Sequence, residues 1–548
     1  MTLLIDLFGY LSIVLHGLTI AAQSMALGGT VFLIGLARPF AGTLPDGAAL
    51  ARRTSVIAGW SALALLTYEL LAVAMQVAVL MASVDLSLVQ ALTAEFAVAG
   101  LVKAAAAGAL GAALLARRPA PAAPLLGLCA VVLAAAVMTT HAAARLTDGP
   151  VLLAATGLHI LGAAIWVGGI PSFVLALRRL HDGAAFRRVG ARFSRISMLG
   201  VACILVSAAM MVWFYIGSWG AAYGTAYGVM VGAKVAMFAA LLLLGFGNFL
   251  VVERLRNDPG TPVLRMRRFA EVEIGIGVSI FFAAASLTSV PPAVDLTQDR
   301  VTWAEIAERN APQMPRLTSP DYDSLALSQL QAQLDAEAAR ASTAPPPAVI
   351  PGSGELSARN AADIAWSEYN HHWAGLFVVA VGVLGLLHQA GVRAARHWPL
   401  ALLGLAGFLF VRSDPEAWPL GNVGFFESLR DVEVLQHRVF VVLIVAFALF
   451  EWGVRTGRLR HPGAALVFPL LTAAGGALLL THSHAIANVK DQLLIEMSHT
   501  PLALAGIGAG WSRWLELRTD GTVRRVAGWM WPVCFLIVGV ILLSYREA

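Results

Sequence analysis

Residues 150–178 read PVLLAATGLHILGAAIWVGGIPSFVLALR, and no charge interrupts them before Arg178. About 20 apolar residues at 1.5 Å rise cross a ~30 Å hydrocarbon core, so this run predicts a membrane span. Runs of this kind recur along the chain. Eight precede the middle, at roughly 4–36, 54–82, 92–116, 122–141, 150–178, 196–218, 226–251 and 269–290. Six more follow, at roughly 371–391, 397–412, 434–454, 463–481, 497–515 and 524–544. The first run has no basic n-region and no small-residue cleavage site, which predicts a retained helix and not a signal peptide.

Composition agrees. Of 548 residues, 58% are hydrophobic and 13% charged, where soluble chains carry about 25% charged. Mean hydropathy is +0.74. Tryptophan (14) outnumbers tyrosine (8), as suits side chains anchored at bilayer interfaces. Disordered chains, nucleic-acid-binding modules and disulfide scaffolds are excluded. Cys129, Cys203 and Cys534 stand singly in apolar runs without CxxC spacing, so neither a zinc knuckle nor a disulfide framework is expected. The expected class is an all-α polytopic membrane protein: about 14 transmembrane helices in two bundles joined by a periplasmic linker.

Charge assigns the sides. The loops 37–53, 117–121, 178–195, 252–268, 392–397, 454–461 and 513–525 hold 25 of the 38 Lys and Arg, and the opposite-side segments hold eleven. By the positive-inside rule the Arg-rich loops face the cytoplasm. Both termini then face the periplasm, as does 291–370. That segment carries eleven acidic and five basic residues and includes Ala344-Pro345-Pro346-Pro347. It reads as a mostly extended linker with a short helical pattern near 324–340.

The expected domains are 1–290, the linker 291–370, and 371–548. The first looks duplicated as four-helix parallel repeats, 1–145 and 150–290. Phe96-x6-Lys103 matches Tyr227-x6-Lys234, and Met138-Thr139-Thr140 matches Leu287-Thr288-Ser289. His16 with Gly28-Gly29 echoes His159 with Gly168-Gly169.

Thirteen histidines carry the chemistry. His181, His388, His397 and His461 fall in or beside cytoplasmic loops. Of the other nine, eight lie in or at the outer half of the membrane: His141, His159, His371, His372, His437, His482, His484 and His499. Only His16 sits nearer the middle. Polar groups in hydrocarbon are costly and mark ion pathways, cofactors or packing pairs. Imidazole with nearby Met favours copper, while added carboxylate widens the choice to iron and zinc. Glu368 precedes His372 by four, Glu433 precedes His437 by four, and Glu496 precedes His499 by three with Met497 between. At that spacing each carboxylate shares its histidine's face and can orient the ring. His372, His437, His482, His484 and His499 are expected to converge on one site. Lone membrane histidines are more often packing residues, and His371-His372 could be an interfacial cap. Glu69 and Lys103 sit at similar depth and read as a structural ion pair. Lys234 has no obvious partner and could gate an outer entrance. Gly168-Gly169 reads as a close helix approach.

The stretch Leu158-His159-Ile160-Leu161-Gly162-Ala163-Ala164-Ile165-Trp166-Val167-Gly168-Gly169 resembles the signature of the copper resistance D (CopD/PcoD) family. So do Arg192-Phe193-Ser194-Arg195, Tyr227-Gly228 with Lys234, Asn248, Arg268-Phe269 with Glu271, and Leu287-Thr288-Ser289-Val290-Pro291-Pro292. The resemblance covers roughly 150–295, and weaker similarity reaches the N-terminus. It implies an inner-membrane copper-handling protein, with His159 and Trp166 on the family's most recognisable positions. It also implies a distant similarity to four-helix membrane cytochromes. The His-rich pattern of 371–548 is not part of that signature.

The leading reading is therefore a transporter or metal-binding membrane protein, not an enzyme. Copper ion, delivered by a periplasmic carrier protein, would be captured at the outer face and moved inward or to a membrane acceptor. His141, His159, His372, His437, His482, His484, Met497 and His499 are the candidate ligands. Trp166, Lys234, Glu368, Glu433 and Glu496 would support them. No GxxxxGK[ST] motif or aspartyl-phosphate loop is present, which excludes ATP-driven pumping. The alternatives are a redox protein holding haem b through paired histidines, or a scaffold for metalloenzyme assembly.

Overall fold

The computed structural model describes residues 2–44, 46–84, 86–145, 147–180, 182–298, 300–321, 325, 336, 361–481 and 489–547. They are mostly helical, and no strand occurs among them. The chain divides into two compact units: Met1–Val301 with Ala477–Glu496, and Thr302–Gly476 with Met497–Ala548.

Unit 1 contains α1 (Thr2–Phe32, continuing as a π-helical turn, Leu33–Ala37), α2 (Gly47–Val84), α3 (Glu95–Leu115), α4 (Ala122–Met138), α5 (Gly149–Trp166), α6 (Ile170–Arg179), α7 (Gly183–Tyr215), α8 (Ala226–Asn257) and α9 (Leu264–Leu287). Polar caps mark where these apolar helices start. Asp182 accepts from the Ala185 N–H at 3.1 Å ahead of α7, and Thr225 accepts from the Gly228 N–H at 3.1 Å ahead of α8. Threonines close two others: Thr139 Oγ1 bonds Ala136 O at 2.9 Å, and Thr288 Oγ1 bonds Ala285 O at 2.6 Å. Helices α1 to α4 pack in sequence, as do α5 with α7, α7 with α8, and α8 with α9, while α1 packs on both α5 and α9.

The crossing of α1 with the end of α5 is close because glycine stands on both sides, Gly28 in α1 and Gly168 just past α5. A Cβ added to Gly168 would lie 1.9 Å from Ser24 O, and one on Gly28 would lie 2.0 Å from Ala164 O. Two backbones therefore touch where any side chain would hold them apart.

Unit 2 contains α10 (Trp303–Arg309), α11 (Ala361–Gln389), a 3₁₀ turn leading into α12 (Ala401–Arg412), α13 (Val432–Arg455), α14 (Val467–Leu479), most of α15 (Val489–Arg518), and α16 (Gly521–Leu543). The 3₁₀ turn before α12 spans Arg393–Leu400. Trp398, Phe468 and Trp531 form its aromatic core with Val381, Ala448 and Ala509.

Eleven helices among the described residues are long and apolar enough to cross a membrane. This is a multi-pass membrane protein. All fourteen sequence runs are helical, but three miss that standard. Ala122–Met138 and Ala464–Leu479 are short. Helix α15 is long, but Lys490, Asp491, Glu496, Arg513, Glu516 and Arg518 make it polar.

The segment read as extended linker is partly built into structure. In unit 1, Val294 N bonds Tyr215 O at 2.9 Å, Val301 N bonds Gly224 O at 3.1 Å, and Asp295 pairs with Arg145 at 2.8 Å. In unit 2, α10 has a Thr302–Glu305 capping box. Most of the helical pattern expected near 324–340 lies outside the described residues.

Candidate functional site

His159 sits half-buried on α5, and its Nδ1 lies 3.0 Å from Ser207 Oγ on α7. The Ser207 hydroxyl already donates to Cys203 O at 2.7 Å. Its oxygen must therefore accept from His159 Nδ1–H, which leaves the lone pair on Nε2. A ring so oriented is ready to ligate a cation through Nε2. Lys234 on α8 acts electrostatically on the same ring, and no carboxylate pairs with Lys234 among the described residues. Two turns along α5, Trp166 is buried edge-to-face against Phe238 of α8, centroids 5.8 Å apart at 84°. The polar group thus ends on an aromatic step.

Below that step α9 carries two acids. Glu271 is held by Arg268 at 2.8 Å and Arg178 at 3.0 Å. Glu273 is buried and accepts from Asn248 Nδ2 at 2.6 Å. In α2 and α3, by contrast, Glu69 and Lys103 form the expected ion pair at 2.8 Å, both buried.

Unit 2 departs from the expected histidine site. His372 Nδ1 accepts from the Arg316 N–H at 2.7 Å, and Nε2–H donates to Tyr545 O at 2.9 Å. With both nitrogens engaged, His372 is a staple holding the chain at Arg316 and Tyr545 onto α11, and it offers no lone pair to a metal. Glu368, expected to orient it, binds Arg316 at 3.3 Å. His437 is oriented by a carboxylate, but that carboxylate is Asp414, at 2.6 Å. Glu433 lies on α13 and its side chain is outside the described residues. His499 meets Tyr545 edge-on at 6.2 Å, and His371 stacks on the same ring at 3.8 Å. Met497 and Glu496 share α15 with His499.

His482 and His484 lie outside the described residues, and so does the His141 side chain at the start of the short helix His141–Ala144. Among the described residues, no three His, Cys, Asp or Glu side chains stand close enough to hold one metal ion.

Sequence reading missed Ser207, Asp414 and Glu273. Ser207 shows as one serine in an apolar run, and Asp414 reaches His437 across 23 residues. Glu273 carried the available signal: a second acid, two residues past Glu271, inside a span.

Residues 187–287 match the family described as Copper resistance protein D. This stretch is a CopD segment. It contains Ser207, Lys234, Asn248, Glu271 and Glu273, so the CopD segment supplies every polar partner named above in α7, α8 and α9. The chain is also similar to Copper transport protein CutJ of Bacillus subtilis (strain 168), at 33% identity over 172 residues. That match covers 31% of this chain and 30% of the relative's length. No solved structure matches.

Proposed function

We propose that the protein moves copper across the cytoplasmic membrane and that unit 1 is the conducting part. The observation that carries this reading is the His159–Ser207 pair beside Lys234. His159 presents Nε2 inside apolar helices, and the CopD segment provides both of its neighbours. Imidazole nitrogen suits copper, and a cation arriving there meets the Lys234 ammonium, whose position must change for it to pass. Trp166 with Phe238 forms the next barrier. His141 stands at the outer approach, and both termini face the periplasm, as the charge split between loops supports. A periplasmic carrier is the expected donor. We read Met497, His499, His437, His482 and His484 of the C-terminal region as capture groups, with Asp414 orienting His437 and Glu496 supporting His499.

The duplication also stands as a proposal, with 1–145 and 150–290 as copies. The paired Thr139 and Thr288 closures and the reciprocal Gly28–Gly168 crossing support it.

Cells expressing the protein should accumulate copper, and His159→Ala should lose that gain at unchanged membrane abundance. His372→Ala should retain it if the protein folds. Equal copper in cells carrying His159→Ala and wild type would defeat the reading. A Soret band in purified protein would replace it with a haem-binding one.

A further inference from the structure

Glu273 is the tenth residue of the 24 in α9. At 1.5 Å per residue it lies ~13 Å from one helix end and ~21 Å from the other, well inside a ~30 Å hydrocarbon core. It is 3% exposed. Its one polar partner among the described residues is Asn248, whose Nδ2 donates to Oε1. The charged and titratable residues on the helices packed against α9 are Asp6, Tyr10 and His16 on α1, Arg178 and Arg179 on α6, and Tyr227, Lys234, Glu253, Arg254 and Arg256 on α8. Among the described side chains, none of these forms an ion pair with Glu273. Arg178, and Arg268 on α9 itself, are engaged with Glu271.

A bare carboxylate in this setting is strongly disfavoured, with no cation to offset its charge. A proton removes that cost. Asn248 points the same way, because its Oδ1 is buried with no donor. A neutral Glu273 acid supplies the missing O–H, so acid and amide can exchange two hydrogen bonds where the carboxylate makes one.

The pair also borders the pathway. A Cβ placed on Gly245 would lie 3.7 Å from Trp166 Cζ2 and 4.0 Å from Glu273 Oε2, so indole edge and carboxyl face one gap. Carboxylate oxygen suits hard cations, whereas copper is better matched by imidazole and sulfur, which favours the proton over the metal as the occupant of Glu273.

Building on the copper-transport reading, we propose that Glu273 is a proton carrier that couples copper movement to the pH gradient. It holds a proton while the gap is empty. When a copper cation passes Trp166, Coulomb attraction favours the carboxylate, and Glu273–COOH becomes Glu273–COO⁻ with its proton released to the side from which the cation came. Once the cation leaves, Glu273 takes up a proton from the side the cation has reached, so one proton crosses against each cation. No electron moves, and one proton is exchanged per cation at this level.

The test uses the full-length protein in liposomes. Infrared spectra across a pH titration should show a carboxylic C=O band that is absent in Glu273→Gln and present, shifted, in Glu273→Asp. Copper accumulation should rise up to about tenfold per unit of pH gradient, acid inside, the equilibrium limit for one exchanged proton. Folded Glu273→Gln should lose that response and Glu273→Asp should regain it. An unchanged infrared band or a retained gradient response in Glu273→Gln overturns the proposal. So does total loss of uptake in folded Glu273→Gln, which would make Glu273 a ligand or structural group. Wild-type protein that moves no more copper than empty liposomes overturns the transport reading itself, and the coupling with it.

Discussion

At the scale of single residues, the outcome turns on which atoms are left free. His159 and His372 looked alike in the sequence, each a histidine within a helix, but their partners separate them. Ser207 engages one nitrogen of His159, whereas Arg316 and Tyr545 engage both of His372. Replacing His372 by Ala removes both bonds and leaves the buried Tyr545 carbonyl without that donor, which should cost about 1–3 kcal/mol. Thermal unfolding in detergent should show that loss, while copper bound per protein stays the same. A fall in bound copper at unchanged stability would restore His372 as a ligand. The same logic applies to Gly168. An added methyl would collide with Ser24 O, and Gly168→Ala should cost about 1–3 kcal/mol through forced displacement of α1. A variant as stable as wild type would show that the crossing yields freely.

Between elements, the Lys-bearing helices α3 and α8 behave differently. In α3, Lys103 is neutralised by Glu69 of α2, and in α8, Lys234 has no carboxylate pair among the described residues and acts electrostatically on His159. Removing one partner of a buried pair leaves an uncompensated charge, so Glu69→Gln should destabilise by about 3–5 kcal/mol. The double variant Glu69→Leu with Lys103→Met should recover much of that, because both charges leave together. A double variant no better than Glu69→Gln would mean that the pair holds helix geometry beyond its charge. The sequence made such elements legible: every apolar run became a helix, and the Glu69–Lys103 depth match came from simple counting. Contacts between elements were less legible. Glu271 and Glu273 differ by two residues, about 200° around a helix, which places one in an arginine cluster and the other against Asn248. Asp414 lies in an irregular segment, where no periodicity announces which way a carboxylate turns.

For the whole molecule, the hydropathy of a helix decides how plainly it reads as a span. Helix α15 is as long as its neighbours but too polar for the eleven that stand out by length and hydropathy. Loop charge sets the orientation, and its test is direct. In a background without the three native cysteines, Ser324→Cys should label from outside intact spheroplasts and Arg118→Cys should not. The reverse pattern would invert the assignment and move the histidines to the cytoplasmic side. The central claim is that copper crosses through unit 1 by way of His159. Radioactive copper uptake into liposomes holding wild-type or His159→Ala protein tests it most directly. Wild-type liposomes should fill well above protein-free ones, and His159→Ala should fall to the protein-free rate. Equal uptake by the two proteins, or none by either, would contradict it.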